Sequence, residues 1–361
     1  MQFRTRILAI GRTHTGAALL LAALAGCQHP FPITGNVRTE SGFQGTVDVR
    51  IPPATDPGPM VPTIVRASPS GQAAPRVALI DVDGLILNQN LTGLYSVGEN
   101  PVSAFREKLE AAAADPRVRA VVLRINSPGG GVAASDLLAE ELRRFRQTMG
   151  KPVVACLMDV ATGGAYYLAV GCDRVVALPT SITGGVGAIV NHANLQDAMA
   201  QFNVRVETIK AGPLVDMGAV TEPLPDEVRK LFQDMANGFR DRFVRRVSAG
   251  RPAMTEADRR LVADGRVVAA PQALALHMID AHGYLDDALA DAERLAHVTC
   301  AEVVLFQRSG YPTRSIYSIV PNVPLQGDIV PISYPGLDRS KLPAFLYLWQ
   351  PDPTLMKLGG R

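Results

Sequence analysis

An α/β domain running from about residue 76 to residue 306 is predicted by two features of the chain. Short, β-branched, apolar runs alternate with segments whose apolar residues recur every three or four positions. That is the order of strands and helices that builds a covered sheet. Two of the runs, Arg119-Ala-Val-Val-Leu-Arg-Ile125 and Pro152-Val-Val-Ala-Cys-Leu157, feed small-residue stretches that each open a helix. These stretches are Asn126-Ser-Pro-Gly-Gly-Gly131 and Asp159-Val-Ala-Thr-Gly-Gly-Ala165. At 361 residues the chain is long enough for one large core beside its flanking segments.

Residues 1–27 read as a targeting segment. Arg4, Arg6 and Arg12 precede an apolar run from Gly16 to Gly26, which suits a signal-sequence core and is too short to span a bilayer. The run ends in Leu24-Ala-Gly-Cys27, which resembles the lipobox of bacterial lipoproteins. The resemblance implies cleavage before Cys27, acylation of its sulfur and a lipid-anchored protein on the extracytoplasmic face of the bacterial envelope. Gln28 after the cysteine would permit outer-membrane sorting; an ordinary secretory signal with an incidental cysteine is the alternative. Residues 28–75 hold nine prolines in 48 positions and show no periodicity. They read as a disordered tether, with Ile51–Pro59 as a spacer rather than a binding motif.

The domain proper, 76–306, then unfolds element by element. Val77–Val82 is a strand and Asp83-Gly84 a turn. Pro101–Ala114 is a helix stopped at Asp115-Pro116, because proline disfavours helix in the residue before it. After the Arg119 strand and its glycine corner, Ser135–Met149 is amphipathic, with Leu138, Leu142, Phe145 and Met149 on one face. Asp173–Leu178 and Val204–Ile209 read as strands. The stretch from about Asp226 to Val247 reads as a long helix carrying Val228, Leu231, Phe232, Met235, Phe239 and Phe243. Short helices near Glu256–Ala263 and Pro271–His277 precede a helix at Asp286–Ala296 and a last strand at Ala301–Phe306. The tail, 307–361, is proline-punctuated with apolar patches at Ile316–Val323 and Phe345–Trp349, which must dock on this domain or on a neighbouring subunit.

The two glycine corners carry the chemistry. Glycine lets a backbone approach closely, and a helix that starts there presents free N–H groups. Such a corner can hold a carbonyl oxygen or an anion. Two of them in one domain suggest two donors aimed at one point.

Leu123-Arg-Ile-Asn-Ser-Pro-Gly-Gly130 is very similar to the signature of signal peptide peptidase A, the protease IV family of serine peptidases. The similarity continues through Asp159–Asp173, Thr183-Gly-Gly-Val-Gly-Ala-Ile189, Ile209-Lys-Ala-Gly212, Ala263-Asp-Gly-Arg266 and Gln272 to Asp280. The resemblance covers roughly residues 76 to 300. It implies the repeated β-β-α spiral of the ClpP/crotonase fold, a peptide or signal-peptide ligand, assembly into rings of subunits, and no cofactor. It also implies backbone oxyanion donors at Gly129, Gly130 and Gly164. The catalytic side chains do not carry over. Aligned on Tyr166-Tyr167, the family's nucleophilic serine falls on Gly163. Its lysine base falls on Val215, before Asp216, and its orienting serine on Gly185. All three serve one proton transfer, so their joint loss is coherent, and it implies a binding protein, a scaffold or a partner for an active paralogue.

Alternatives remain at this stage. Thr162 is the one hydroxyl beside the lost nucleophile and would be the attacking group of a slow hydrolase; Lys210, offset from the base position, would be its base. Ala161–Asp173 is also similar to the crotonase pattern, whose enolate chemistry needs only backbone amides. Cys156, Cys172 and Cys300 lack metal or disulfide spacing and read as free thiols. No histidine has metal-ligand spacing; His192 reads as a surface or packing residue, and His277 stands where the family has glycine. A net charge of +2 with interspersed signs gives no reason to expect nucleic acid.

Overall fold

The computed structural model describes residues 33–38, 44–49, 58–69, 74–89, 91–93, 96–308, 315–317 and 345–349. The chain divides into a small unit, Met1–Pro57 with Leu94–Val97, and a large one, Gly58–Gly93 with Gly98–Arg361. In the small unit, β1 (Ile33–Arg38) and β2 (Gln44–Val49) pair antiparallel. The large unit contains a ten-stranded mixed sheet. Its strands are β3 (Val61–Arg66), β4 (Arg76–Ile86), β5 (Val118–Gly131), β6 (Val153–Thr162), β7 (Arg174–Ala177), β8 (Ile182–Gly184), β9 (Val267–Ala269), β10 (Ala281–His282), β11 (Glu302–Gln307) and β12 (Leu346–Leu348).

The order along the main path is β9-β8-β6-β5-β4-β11-β3. The central neighbours β11, β4, β5 and β6 run parallel. Strand β6 forks the sheet. Its first half pairs with β7 and its second half with β8, both parallel. Helices cover both faces: α1 (Pro101–Ala114), α2 (Val132–Met149), α3 (Gly164–Ala169) and α5 (Asp226–Gly250) on one, α8 (Leu285–Leu295) on the other. The helices α4 (Gln196–Gln201), α6 (Glu256–Val262) and α7 (Ala270–Ala275) complete the set.

Burial on both faces explains why the strands read as continuous apolar runs. On β4, Ala78, Ile80 and Val82 join Phe105, Leu138 and Phe243, whereas Val77 and Leu79 join Leu285 and Leu289. Each fully buried Leu or Phe of this kind contributes roughly 1.5–3 kcal/mol. The helix ends follow local chemistry. Asn100 accepts hydrogen bonds from the first amides of α1, Pro101 occupies its first turn, and Asp115 before Pro116 is extended. Gly150 closes α2 in the left-handed region, φ 61°.

The α/β class read from the alternation is observed, and several local expectations are corrected. Val204–Ile209 is not a strand. The segment is irregular and exposed, with Ile209 at 96 % exposure, and among the described residues no strand pairs with its backbone. Asp83-Gly84 is not a turn; β4 runs through it with a register shift against β5. Met149 and Met235 are exposed rather than core-facing. The stretch 28–75 contains paired strands, so a disordered tether does not describe it throughout. There β3 adds antiparallel to β11 as the last strand of the main path, so the domain's sheet begins before Arg76. Pro62, which cannot donate to a ladder, suits a strand at the end of the path. Cys27, the rest of the leader and most of the tail lie outside the described residues.

Candidate functional site

Two corners of the sheet meet beneath α2 and α3. At the first, β5 runs through Asn126–Gly131 into α2. The Ser127 hydroxyl accepts from Gly129 N at 3.1 Å, and Asn126 Oδ1 accepts from Val160 N on β6 at 3.3 Å. At the second, β6 passes through Gly163 into α3. Gly163 has φ 53° and ψ −122°, a region that costs any residue bearing a Cβ roughly 1–3 kcal/mol. Its N–H donates to Gly184 O at 2.9 Å, which ties the corner to β8.

The corners pack backbone to backbone. A Cβ on Gly129 would come within 2.8 Å of Gly164 N and overlap the Tyr347 carbonyl oxygen, so only glycine fits. A Cβ on Gly185 would sit 3.1 Å from Gly163 N, which places Gly185 beside the corner. Thus Gly129, Gly130, Gly163, Gly164, Gly185 and Thr162 are gathered in one place. The Thr162 side chain is fully buried, and its hydroxyl donates to Pro128 O at 3.1 Å. Val215 is not part of the buried cluster; it is 68 % exposed in an irregular loop. Lys210 donates to both carboxylate oxygens of Asp216 at 2.8 Å, and that bond holds the ammonium above its ordinary pKa. The ion pair commits the ammonium to Asp216.

The site contains a segment that sequence reasoning expected only to dock somewhere. Strand β12 lies antiparallel on the end of β5, with Leu346 opposite Gly131, Tyr347 opposite Gly130 and Leu348 opposite Gly129. Val132 N donates to Phe345 O at 3.2 Å and Trp349 N to Pro128 O at 3.1 Å. On its other edge, Leu346 and Ile189 exchange two hydrogen bonds of 3.0 Å. Tyr347 is fully buried, its ring 5.0 Å from that of Phe243 and 5.3 Å from that of Tyr167. Its hydroxyl donates to Phe239 O at 2.6 Å, and burial pushes its pKa up. Phe345 packs on Phe232 and Phe239. Below, Tyr167 donates to Asp136 at 2.7 Å, Arg242 pairs with the same carboxylate at 2.8 Å, and the Arg246 guanidinium lies 4.7 Å over the Tyr167 ring. The signal for this docking was the apolar Phe-Leu-Tyr-Leu-Trp run; its partner surface was not legible.

Elsewhere, His192 contacts Ala219 O at 3.1 Å. His277 has φ 56°, in the left-handed region that favours glycine. Burial pushes the Cys156 and Cys172 thiols up to about 12. Among the described residues no group of His, Cys, Asp and Glu has metal-binding geometry, and no helix is long and apolar enough to cross a membrane.

A family model described as peptidase family S49 matches residues 145–299. The chain is 29% identical over 237 residues to an Enterococcus faecium protein named signal peptide peptidase SppA, covering 66% of this chain and 68% of that one. It is 30% identical over 212 residues to a Methanocaldococcus jannaschii protein named as a protease, covering 59% of this chain and 67% of the relative. It is 29% identical over 280 residues to protease 4 of Salmonella typhi, covering 77% of this chain but only 42% of that longer protein.

Proposed function

Because this chain belongs to peptidase family S49, we propose that it binds extended peptides at the bacterial envelope without cutting them. The observation that carries the proposal is Gly163. It sits at the strained strand-to-helix corner where an exposed nucleophile would be presented, and it has no side chain. Three further features support the reading. The Thr162 hydroxyl is buried and committed to Pro128 O, Val215 has no proton acceptor, and Lys210 is paired with Asp216. What the site retains is backbone: two glycine corners and the edges of Gly129–Val132 and Ile189, between which residues 345–349 of this chain add as a strand, as an extended peptide would. Signal peptides released at the membrane are the ligand class in keeping with the family, and the Cys27 lipid anchor would hold the protein where they arise. Assembly with copies of itself or with an active paralogue belongs to the same proposal.

The test is chemical. The wild-type protein is expected to hydrolyse no unstructured peptide and to take up no fluorophosphonate probe. Losing a nucleophile that acts with its base costs on the order of 10⁶-fold. Gly163→Ser alone restores nothing, because no base deprotonates it. Gly163→Ser with Val215→Lys and Gly185→Ser is expected to regain labelling. Probe labelling of the wild type that vanishes in Thr162→Ala would overturn the proposal and make Thr162 a working nucleophile.

A further inference from the structure

Resting on that reading, we propose that residues 345–349 are a built-in occupant of the peptide groove, and that the groove selects extended segments with aromatic residues two positions apart. The strand is held as a foreign peptide would be. It is bonded along one edge to Pro128–Val132 and along the other to Ile189, in an antiparallel register fixed over three residue pairs. Its Tyr347–Leu348 peptide bond lies directly on the corner. A Cβ at Gly163 would be 2.6 Å from Tyr347 C and 2.9 Å from Leu348 N, and it would overlap the carbonyl oxygen. A side chain at position 163 would therefore face this bond, and glycine lets the bond settle closer than any side chain would.

Side chains set the selectivity. Residues two apart on a strand share a face, so Phe345 and Tyr347 point together into the aromatic wall. Tyr347 fills the space between Tyr167 and Phe243 and ends on Phe239 O; Phe345 covers Phe232 and Phe239. The ligand class is therefore an extended peptide with the pattern aromatic-x-aromatic, the second aromatic being Tyr or Phe. Such a ligand gains the groove only in the fraction of molecules whose tail has lifted, so its apparent affinity falls by that fraction.

The chain has a single tryptophan, Trp349, which lies at the end of this strand and reports its docking. The experiment uses the full chain and a fluorescent peptide copying residues 343–350 with Trp349→Phe, read by anisotropy. Tyr347→Ala in the protein is expected to bind the peptide at least about tenfold more tightly than the wild type. Tyr347→Gly in the peptide is expected to abolish that gain. Excess unlabelled peptide should shift wild-type Trp349 emission to the red, a measurement that needs no variant and decides the matter if Tyr347→Ala fails to fold. Equal affinity for wild type and variant, with Trp349 emission unmoved at saturation, overturns the built-in occupant and leaves peptide binding standing. Absence of peptide binding by both proteins overturns the peptide-binding reading and this inference with it.

Discussion

Gly163→Ala isolates the corner from the chemistry, since a methyl group adds volume and no nucleophile. The new Cβ must adopt φ 53° and ψ −122°, which costs roughly 1–3 kcal/mol. It also lands 2.6 Å from the Tyr347 carbonyl carbon, where ordinary carbon contacts lie at about 3.5–4.0 Å. The tail strand must retreat by about 1 Å, and hydrogen bonds on both of its edges resist a partial shift. Docking of the tail is itself finely balanced. Burying Leu346 and Tyr347 contributes roughly 3–6 kcal/mol, and the backbone bonds at the strand's ends and outer edge, on top of its ladder with β5, about 2–6 kcal/mol. Ordering five residues costs about 5–10 kcal/mol. The opposing terms are of similar size, so the clash tips the balance, and the expected outcome is release. Thermal unfolding should fall by about 3–10 °C, at roughly 2–4 °C per kcal/mol for a domain of this size, and Trp349 emission should move to its solvent value. Gly238→Ala is the control: it lies inside α5 with open space around its Cβ, and should raise stability by roughly 0.5–1 kcal/mol. Gly163→Ala with unchanged melting and unchanged Trp349 emission would refute the claim that the tail presses on the corner.

Three further outcomes are expected. Cys27→Ser should abolish lipid labelling and leave the precursor uncleaved or the product soluble; membrane retention of an uncleaved chain, seen by fractionation and N-terminal sequencing, would point to a different anchor. Native alkylation at pH 8, mapped by mass spectrometry, should modify Cys300 and spare Cys156 and Cys172, because thiols pushed up to about 12 are ionised to only about 10⁻⁴ there. The same burial gives a pH dependence with a definite sign. Folded-state values raised above the ordinary 9.0 leave stability intact below pH 9 and lost as pH rises from 9 towards 12. A melting temperature that is flat across that window would show that these thiols ionise as freely in the folded chain as in the unfolded one.

Much of the fold was legible from local chemistry. The helix at Pro101–Ala114 was read to its last residue, because its asparagine cap, its first-turn proline and the Asp-Pro stop all lie within the segment. The strands that enter the two corners were legible because burial on both faces forces β-branched, apolar runs. That position 163, on which the proposed function rests, carries glycine and no hydroxyl is a fact of sequence. Pairing was not legible. Val61–Arg66 and Val204–Ile209 have similar β-branched composition, yet one is a strand and the other is irregular and exposed, because only the first has β11 beside it. The apolar run at Phe345–Trp349 announced that it must be covered, and nothing in it said by what. That was decided by packing across 218 positions of chain from Gly129 and 184 from Gly163, where these glycines, lacking Cβ atoms, leave room for the Tyr347–Leu348 peptide bond.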